Sequence, residues 1–149
     1  DALVLDGEQV VQGLEMGING TINAQWAIIA NYTYTDSEVT ESGDPTEEGE
    51  VIFNIPEHSA SLWTTYQIDR AWQVGGGLQY IGDYQNGSTT ELDATTLLNA
   101  SASFQATDNV KLQLNANNLT DEKYLLKPRG SRGVPGTGKS FTLTASLEF

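Results

Sequence analysis

The segment Gly133-Val-Pro-Gly-Thr-Gly138-Lys139-Ser140 spells the pattern of a phosphate-binding loop. In such a loop glycine amides cradle phosphates, a lysine neutralises them, and a helix N-terminus meets them directly afterwards. Here the residues that follow alternate like a strand, and the chain ends nine residues later. The segment therefore reads as a loop that happens to match a motif. The same stretch carries Lys127, Arg129, Arg132 and Lys139, a basic cluster that could meet anions through charge-assisted hydrogen bonds or simply be a solvated loop tip. Asp36, Glu38, Glu41, Asp44, Glu47, Glu48, Glu50 and Glu57 crowd one stretch, but without the Asp/Asn spacing and central glycine of a calcium loop. His58 is the only histidine, which gives little support to a Ser/His/Asp set or a His-based metal site. Glu15, between Gly13 and Gly17, reads as a carboxylate on a polar strand face rather than as an acid/base catalyst. No cysteine is present, so thiol catalysis, disulfides and Cys-ligated zinc are excluded. No catalytic, metal or cofactor residue is expected.

The whole chain has 149 residues and a formal net charge of −13, from 7 Lys+Arg and 20 Asp+Glu. That balance argues against nucleic-acid binding, which needs a cationic footprint. Every basic residue lies at or after Arg70, while residues 1–69 hold 13 acids. The acidic excess thus belongs largely to one Gly/Pro/Ser-bearing loop. No apolar stretch is long enough for a membrane helix. The chain opens without a basic and apolar leader, so a signal peptide has been removed or an N-terminal part is missing.

Period-2 alternation recurs where helical periodicity is weak, and it predicts seven strands. They run roughly over Val11 to Ile22, Gln25 to Val39, His58 to Ile68, Trp72 to Tyr84, Thr95 to Ala106, Val110 to Leu119 and Phe141 to Phe149. Most pair an apolar face with a distinctly polar one. Phe141, Leu143, Ala145, Leu147 and Phe149 oppose Thr142, Thr144, Ser146 and Glu148, for example. Connections alternate: short at 23–24, 69–71 and 107–109, longer at 40–56, 85–94 and 120–139. Transmembrane β-barrels have short periplasmic turns, longer extracellular loops, a lipid-facing apolar band and a wet interior.

The aromatics add a length check. Trp26 to Tyr34 and Trp72 to Tyr80 each span eight residues on one face. At about 3.3 Å per residue and a tilt near 40°, that is about 20 Å of height, close to the apolar band of such barrels. Trp26, Tyr32, Tyr34, Tyr66, Trp72 and Tyr80 are accordingly expected to form aromatic girdles. The fold class is all-β: an antiparallel transmembrane barrel segment, against the alternatives of a small standalone outer-membrane barrel (an anchor or adhesin) and a soluble acidic β-sandwich binding module.

Several stretches resemble one family. "NNLTDEKYLL" (Asn117 to Leu126) resembles the Asn-Leu-x-Asp-x-x-Tyr segment near the end of TonB-dependent outer-membrane receptors. "IPEHSASLWTTYQI" (Ile55 to Ile68) is similar to that family's Pro-x-His…Ser-Leu-Trp…Tyr strand, and "ANYTYTDSE" to the strand before it. The alternating end of the chain, with Phe141, Leu143, Leu147 and Phe149, resembles the terminal strand signal presented to the barrel-assembly machinery. Gly136 follows Pro135 where the family commonly has an arginine.

The resemblance implies a bacterial outer-membrane location and uptake of a ferric siderophore or similar nutrient, energised by the TonB system through an N-terminal part missing here. It implies a 22-stranded barrel of which residues 1–149 are a C-terminal segment without the plug domain. Outer-membrane lipid, lipopolysaccharide and the assembly machinery would be further partners. Lys127, Arg129, Arg132 and Lys139 would then face lipopolysaccharide phosphates or an anionic ferric chelate. No enzymatic step and no nucleic-acid partner are implied.

Overall fold

The computed structural model describes residues 7–87, 90–129 and 132–148, and of these the side chains of 127–129 and 132 are outside the description. Phe149 lies outside the described residues, as do Leu3 and Leu5, the apolar positions ahead of the first strand.

Among the described residues the chain forms strands and no helix. They are β1 (Gly7–Asn23), β2 (Trp26–Ser42), β3 (His58–Gln67), β4 (Trp72–Ile81), β5 (Tyr84–Gln85), β6 (Glu91–Leu92), β7 (Thr95–Thr107), β8 (Val110–Asn117), β9 (Leu125–Arg129), β10 (Arg132–Pro135) and β11 (Ser140–Leu147). Seven of them make one antiparallel sheet in the order β1-β2-β3-β4-β7-β8-β11, which is also their order along the chain. These are the seven long strands that alternation predicts.

Two differences are instructive. The first two strands run further than the sequence pattern suggests, because Gly7 to Val10 continue to pair with Glu38 to Ser42. Backbone hydrogen bonding extends a hairpin beyond its apolar stripe, and alternation cannot report that. The second and third long connections are not plain loops: they contain the small hairpins β5–β6 and β9–β10.

At one end of the sheet sit the tight turns at 24–25, 68–71 and 108–109. The side-chain oxygens of their polar residues hold them. Asn23 Oδ1 accepts the Gln25 amide at 2.9 Å, and Asp69 Oδ1 accepts the Ala71 and Trp72 amides, each at 2.8 Å. The connections at 43–57, 82–94 and 118–139 lie at the opposite end.

No hydrophobic side chain is buried among the described residues. Leu143 is 71% exposed, Ile18 65% and Phe141 64%. A sheet that is apolar on one face must bury it against something, and among the described residues no second layer covers it. A soluble sandwich would supply that layer from its other sheet. The sheet is also open, with β1 and β11 as unpaired edges.

Candidate functional site

Directly opposed residues of an antiparallel ladder share a face, so the register sorts every side chain. One face is apolar across its whole width: Ile18 opposes Ala30, then Leu62, Leu78 and Leu98 in successive strands. It continues through Leu114 opposite Leu143 and Ala116 opposite Phe141. Leu147, opposite Val110, completes it.

The aromatic positions fall on this face at its two margins. Near the tight turns, Trp26 opposes Tyr66 and Trp72 stacks on Phe104 with ring centroids 4.6 Å apart. The Trp26 indole donates to Thr64 Oγ1 at 2.6 Å, and Thr64 in turn donates to the Ala27 carbonyl. Near the long connections lie Tyr32, Tyr34 and Tyr80, with His58 joining them. Tyr32 Oη and His58 Nδ1 are 2.9 Å apart, and the Tyr34 and His58 rings have centroids 5.3 Å apart. Glu57 Oε1 is 3.4 Å from His58 Nε2. His58 does begin a strand, as the sequence indicates, but it belongs to this aromatic margin. Its place opposite Tyr34 was not read from the sequence, since it depends on register.

The other face is polar. Glu15 opposes Thr33, and Asn31, Ser61 and Gln79 follow one another across β2, β3 and β4. Asn31, Ser61 and Gln79 line a shallow groove of about 330 Å³ with Thr33, Thr95 and Leu97. Trp63 breaks the polar pattern. Its ring lies over Gly77 and Gly75, so close that a Cβ on Gly77 would come within 2.6 Å of the ring. The run Gly75-Gly76-Gly77 is the signal that could have disclosed this seat.

Above the sheet, side chains organise the connections. Asp44 Oδ1 accepts the Thr46 amide at 3.0 Å and its hydroxyl at 2.8 Å. These two bonds, the amide first, hold the Asp44 carboxyl below the usual aspartate value. Asn54, at φ 66°, donates its amide to the Gln85 carbonyl and accepts from the Asn86 side chain. The connection 43–57 is thereby bound to 82–94.

The third connection has a clip at its base. Asn118 is 3% exposed. Its Nδ2 donates to the carbonyls of Glu122 at 2.9 Å and Thr137 at 3.0 Å, while Oδ1 accepts the Glu122 amide at 2.8 Å. Asp121 Oδ1 accepts the Lys139 amide at 2.8 Å. The Tyr124 ring lies flush against Gly136, where a Cβ would overlap it.

The backbones of Arg129 and Arg132 are paired in the hairpin β9–β10, while Lys139 is exposed at the foot of β11. The side chains of Lys127, Arg129 and Arg132 lie outside the description. The segment that spells a phosphate-binding loop runs from β10 into β11, so a strand stands where that mechanism needs a helix. Among the described residues no three His, Asp or Glu side chains are gathered as a metal would need.

A single antiparallel sheet with an apolar, aromatic-margined face, a polar face, tight turns at one end and long connections at the other defines a wall segment of an outer-membrane-type β-barrel. Residues 3–119 match the family described as TonB dependent receptor-like, beta-barrel. The chain belongs to this family, whose members are β-barrel proteins of the outer membrane. Over 96% of its length it is 35% identical to the siderophore receptor PiuA of Acinetobacter baumannii, of which it covers 21%. It is 30% identical, again over 96% of its length, to the catecholate siderophore receptor Fiu of Escherichia coli K12, of which it covers 20%. The crystal structure of PiuA superposes with a TM-score of 0.88 over 95% of this chain and 22% of that one. The closed form of Fiu does so with a TM-score of 0.87 over 96% and 21%. The chain thus spans about a fifth of the length of these relatives.

Proposed function

We propose that residues 1–149 are a C-terminal β-barrel segment, without the plug, of a TonB-dependent receptor that takes up a ferric siderophore or a similar scarce nutrient. The observation that carries this reading is the sheet itself, apolar and uncovered on one face and polar on the other, in a chain related along nearly its whole length to siderophore receptors. The segment supplies wall, lumen lining and three outer connections of a barrel of the 22-stranded type. Energy coupling to the TonB system resides elsewhere in the receptor. The segment performs no enzymatic step and holds no cofactor.

In this reading the apolar face meets lipid, and Trp26, Tyr66 and Trp72 mark the inner girdle. Tyr32, Tyr34 and Tyr80 mark the outer one. Lys127, Arg129, Arg132 and Lys139 lie on the connection most suited to lipopolysaccharide phosphates or an anionic chelate. Phe141, Leu143 and Leu147 on β11, with Phe149 following in sequence, make up the signal offered to the barrel-assembly machinery.

The test is growth. A strain lacking the full-length receptor is grown under iron limitation on a panel of single ferric chelates. Loss of growth on one chelate or a related set, restored by the intact gene, is the expected result. Growth equal to the parent on every chelate and on other scarce nutrients would overturn the reading.

A further inference from the structure

We propose that the cleft between the second and third outer connections, residues 82–94 and 118–139, seats a planar aromatic ring bearing oxygen substituents, and that Tyr84 selects for it. The inference rests on the transport reading above and deepens it, the ring being one arm of the chelate. It begins from a contrast among the connections. The first and second are bonded together. The Gly82 amide donates to the His58 carbonyl at 2.8 Å, the Asn54 amide to the Gln85 carbonyl at 2.7 Å, and Asn86 Nδ2 to Asn54 Oδ1. Among the described residues no hydrogen bond crosses from the second connection to the third. The third hangs from β7 instead, through the Leu119 amide on the Leu98 carbonyl and the Asn118 amide on Asn99 Oδ1.

Between the second and third connections lies a cavity of about 260 Å³, with Tyr84, Leu92 and Thr95 on one side and Lys123, Tyr124 and Leu125 on the other. An apolar cavity of about 150 Å³ is enough for benzene, so this one takes a substituted ring and not a whole chelate. Its walls suit that occupant, because two leucines and two tyrosines offer apolar and π surface on which an aromatic ring packs offset or edge-to-face. The polar groups are few and uncommitted. The hydroxyls of Tyr84, Tyr124 and Thr95 and the Lys123 ammonium make no hydrogen bond or ion pair among the described residues. All four can donate to oxygens on a ring. Asp93 and Glu122 also line the cavity, so it carries no net positive charge. Shape and donors, rather than charge, select the ligand.

The cavity is continuous with its surroundings. Thr95 also lines the groove on the polar face, beside Ser61 and Gln79. Tyr84 also lines a hollow of about 190 Å³ between the first and second connections. The charged residues of that hollow, Asp36, Glu57, Asp83 and Glu91, are all carboxylates. Tyr84 therefore stands where the outer approach divides. On one side is an acidic hollow between connections held by hydrogen bonds, which repels an oxygen-rich chelate. On the other is the unbonded cleft, whose floor at Thr95 leads to the polar face.

The test uses the full-length receptor in detergent and two iron(III) probes: the complex of dihydroxybenzoate, which has the ring, and that of acetohydroxamate, which has none. Calorimetric titration of the parent should show the ring-bearing complex bound about tenfold more tightly. Tyr84→Ala should raise its Kd about tenfold, as expected for one lost stacking and hydrogen-bonding partner, and leave the ring-free complex within about twofold. Tyr84→Phe, which keeps the ring and loses the hydroxyl, should fall between parent and Tyr84→Ala. Ala94→Phe fills the cleft from an exposed position that lines it. It should abolish the preference for the ring-bearing complex without altering heat-modifiable migration, and it carries the test if Tyr84→Ala does not accumulate. A parent receptor without the preference, or Tyr84→Ala and Ala94→Phe receptors that keep it, would overturn the proposal. Where the strain lacking the receptor has lost growth on a ferric chelate, that result overturns the cleft alone; where it has lost none, the transport reading falls with it.

Discussion

The two hairpins at the margins of the sheet, β1–β2 and β8–β11, face the same pairing problem with opposite resources. β1 and β2 are joined by Ala24 and Gln25 alone, and the turn is closed by Asn23 Oδ1 on the Gln25 amide. Their ladder then runs from Asn23–Trp26 to Gly7–Ser42 with register shifts near both ends. β8 and β11 pair from Asn117–Ser140 to Val110–Leu147 without a shift, although a long connection intervenes. Short loops determine register locally, whereas long ones leave it to specific tertiary bonds. Across the base of that connection the bonds come from the side chains of Asn118 and Asp121, with the Tyr124 ring seated on Gly136.

The sharpest way to break the contrast is Asn118→Ala. It removes three hydrogen bonds at a buried residue, which at about 0.5–1.5 kcal/mol each amounts to roughly 1.5–4.5 kcal/mol. Urea unfolding of the detergent-solubilised full-length receptor, followed by heat-modifiable migration, should show it. Next comes Leu143→Arg on the apolar face of β11, expected to cost about 2–4 kcal/mol if the position lies near the bilayer midplane. Its neighbour Thr144→Arg, on the polar face, should cost far less in the same assay. Equal losses at both positions would mean that the two faces are not differently solvated. Gly136→Ala should cost about 1–3 kcal/mol, because the added methyl overlaps the Tyr124 ring and forces a shift.

On the other side of the comparison, Asn23→Ala should cost no more than about 0.5–1.5 kcal/mol. It should leave the β1–β2 register unchanged, since the turn keeps its length. A register shift detected by cross-strand disulfides would sink that distinction. The smallest effect concerns the outer connection after β2. Because the Thr46 bonds depress the Asp44 pKa, their contribution is fully present above the ordinary aspartate value of 3.8 and fades as pH falls through the lower folded value. Thr46 amide exchange should therefore stay protected as pH drops to that ordinary value, whereas in Asp44→Asn the protection should not follow this titration.

Much of this was legible in the residues. The alternation of Leu14, Met16 and Ile18 with Glu15 and Gly17, and its repetition in β11, placed seven strands and sorted two faces correctly. The spacing of aromatics placed Trp26, Trp72, Tyr34 and Tyr80 at the margins of one face. "NNLTDEKYLL" was recognisable as a motif, but not as a clip. Its partners Thr137 and Lys139 stand many residues away, and nothing local marks Asn118 as buried. The seat of Trp63 on Gly75 and Gly77 was hidden for the same reason: it exists only once β3 and β4 are paired.

Periodicity is a property of the covalent chain, since successive side chains of an extended backbone must point to opposite sides. Spacing therefore sufficed to establish the strands and their two faces. Register and loop order are not periodic properties. A ladder shifted by two residues satisfies the same alternation, so the choice between registers rests on bonds between residues distant in sequence, and these form only when the sheet has folded.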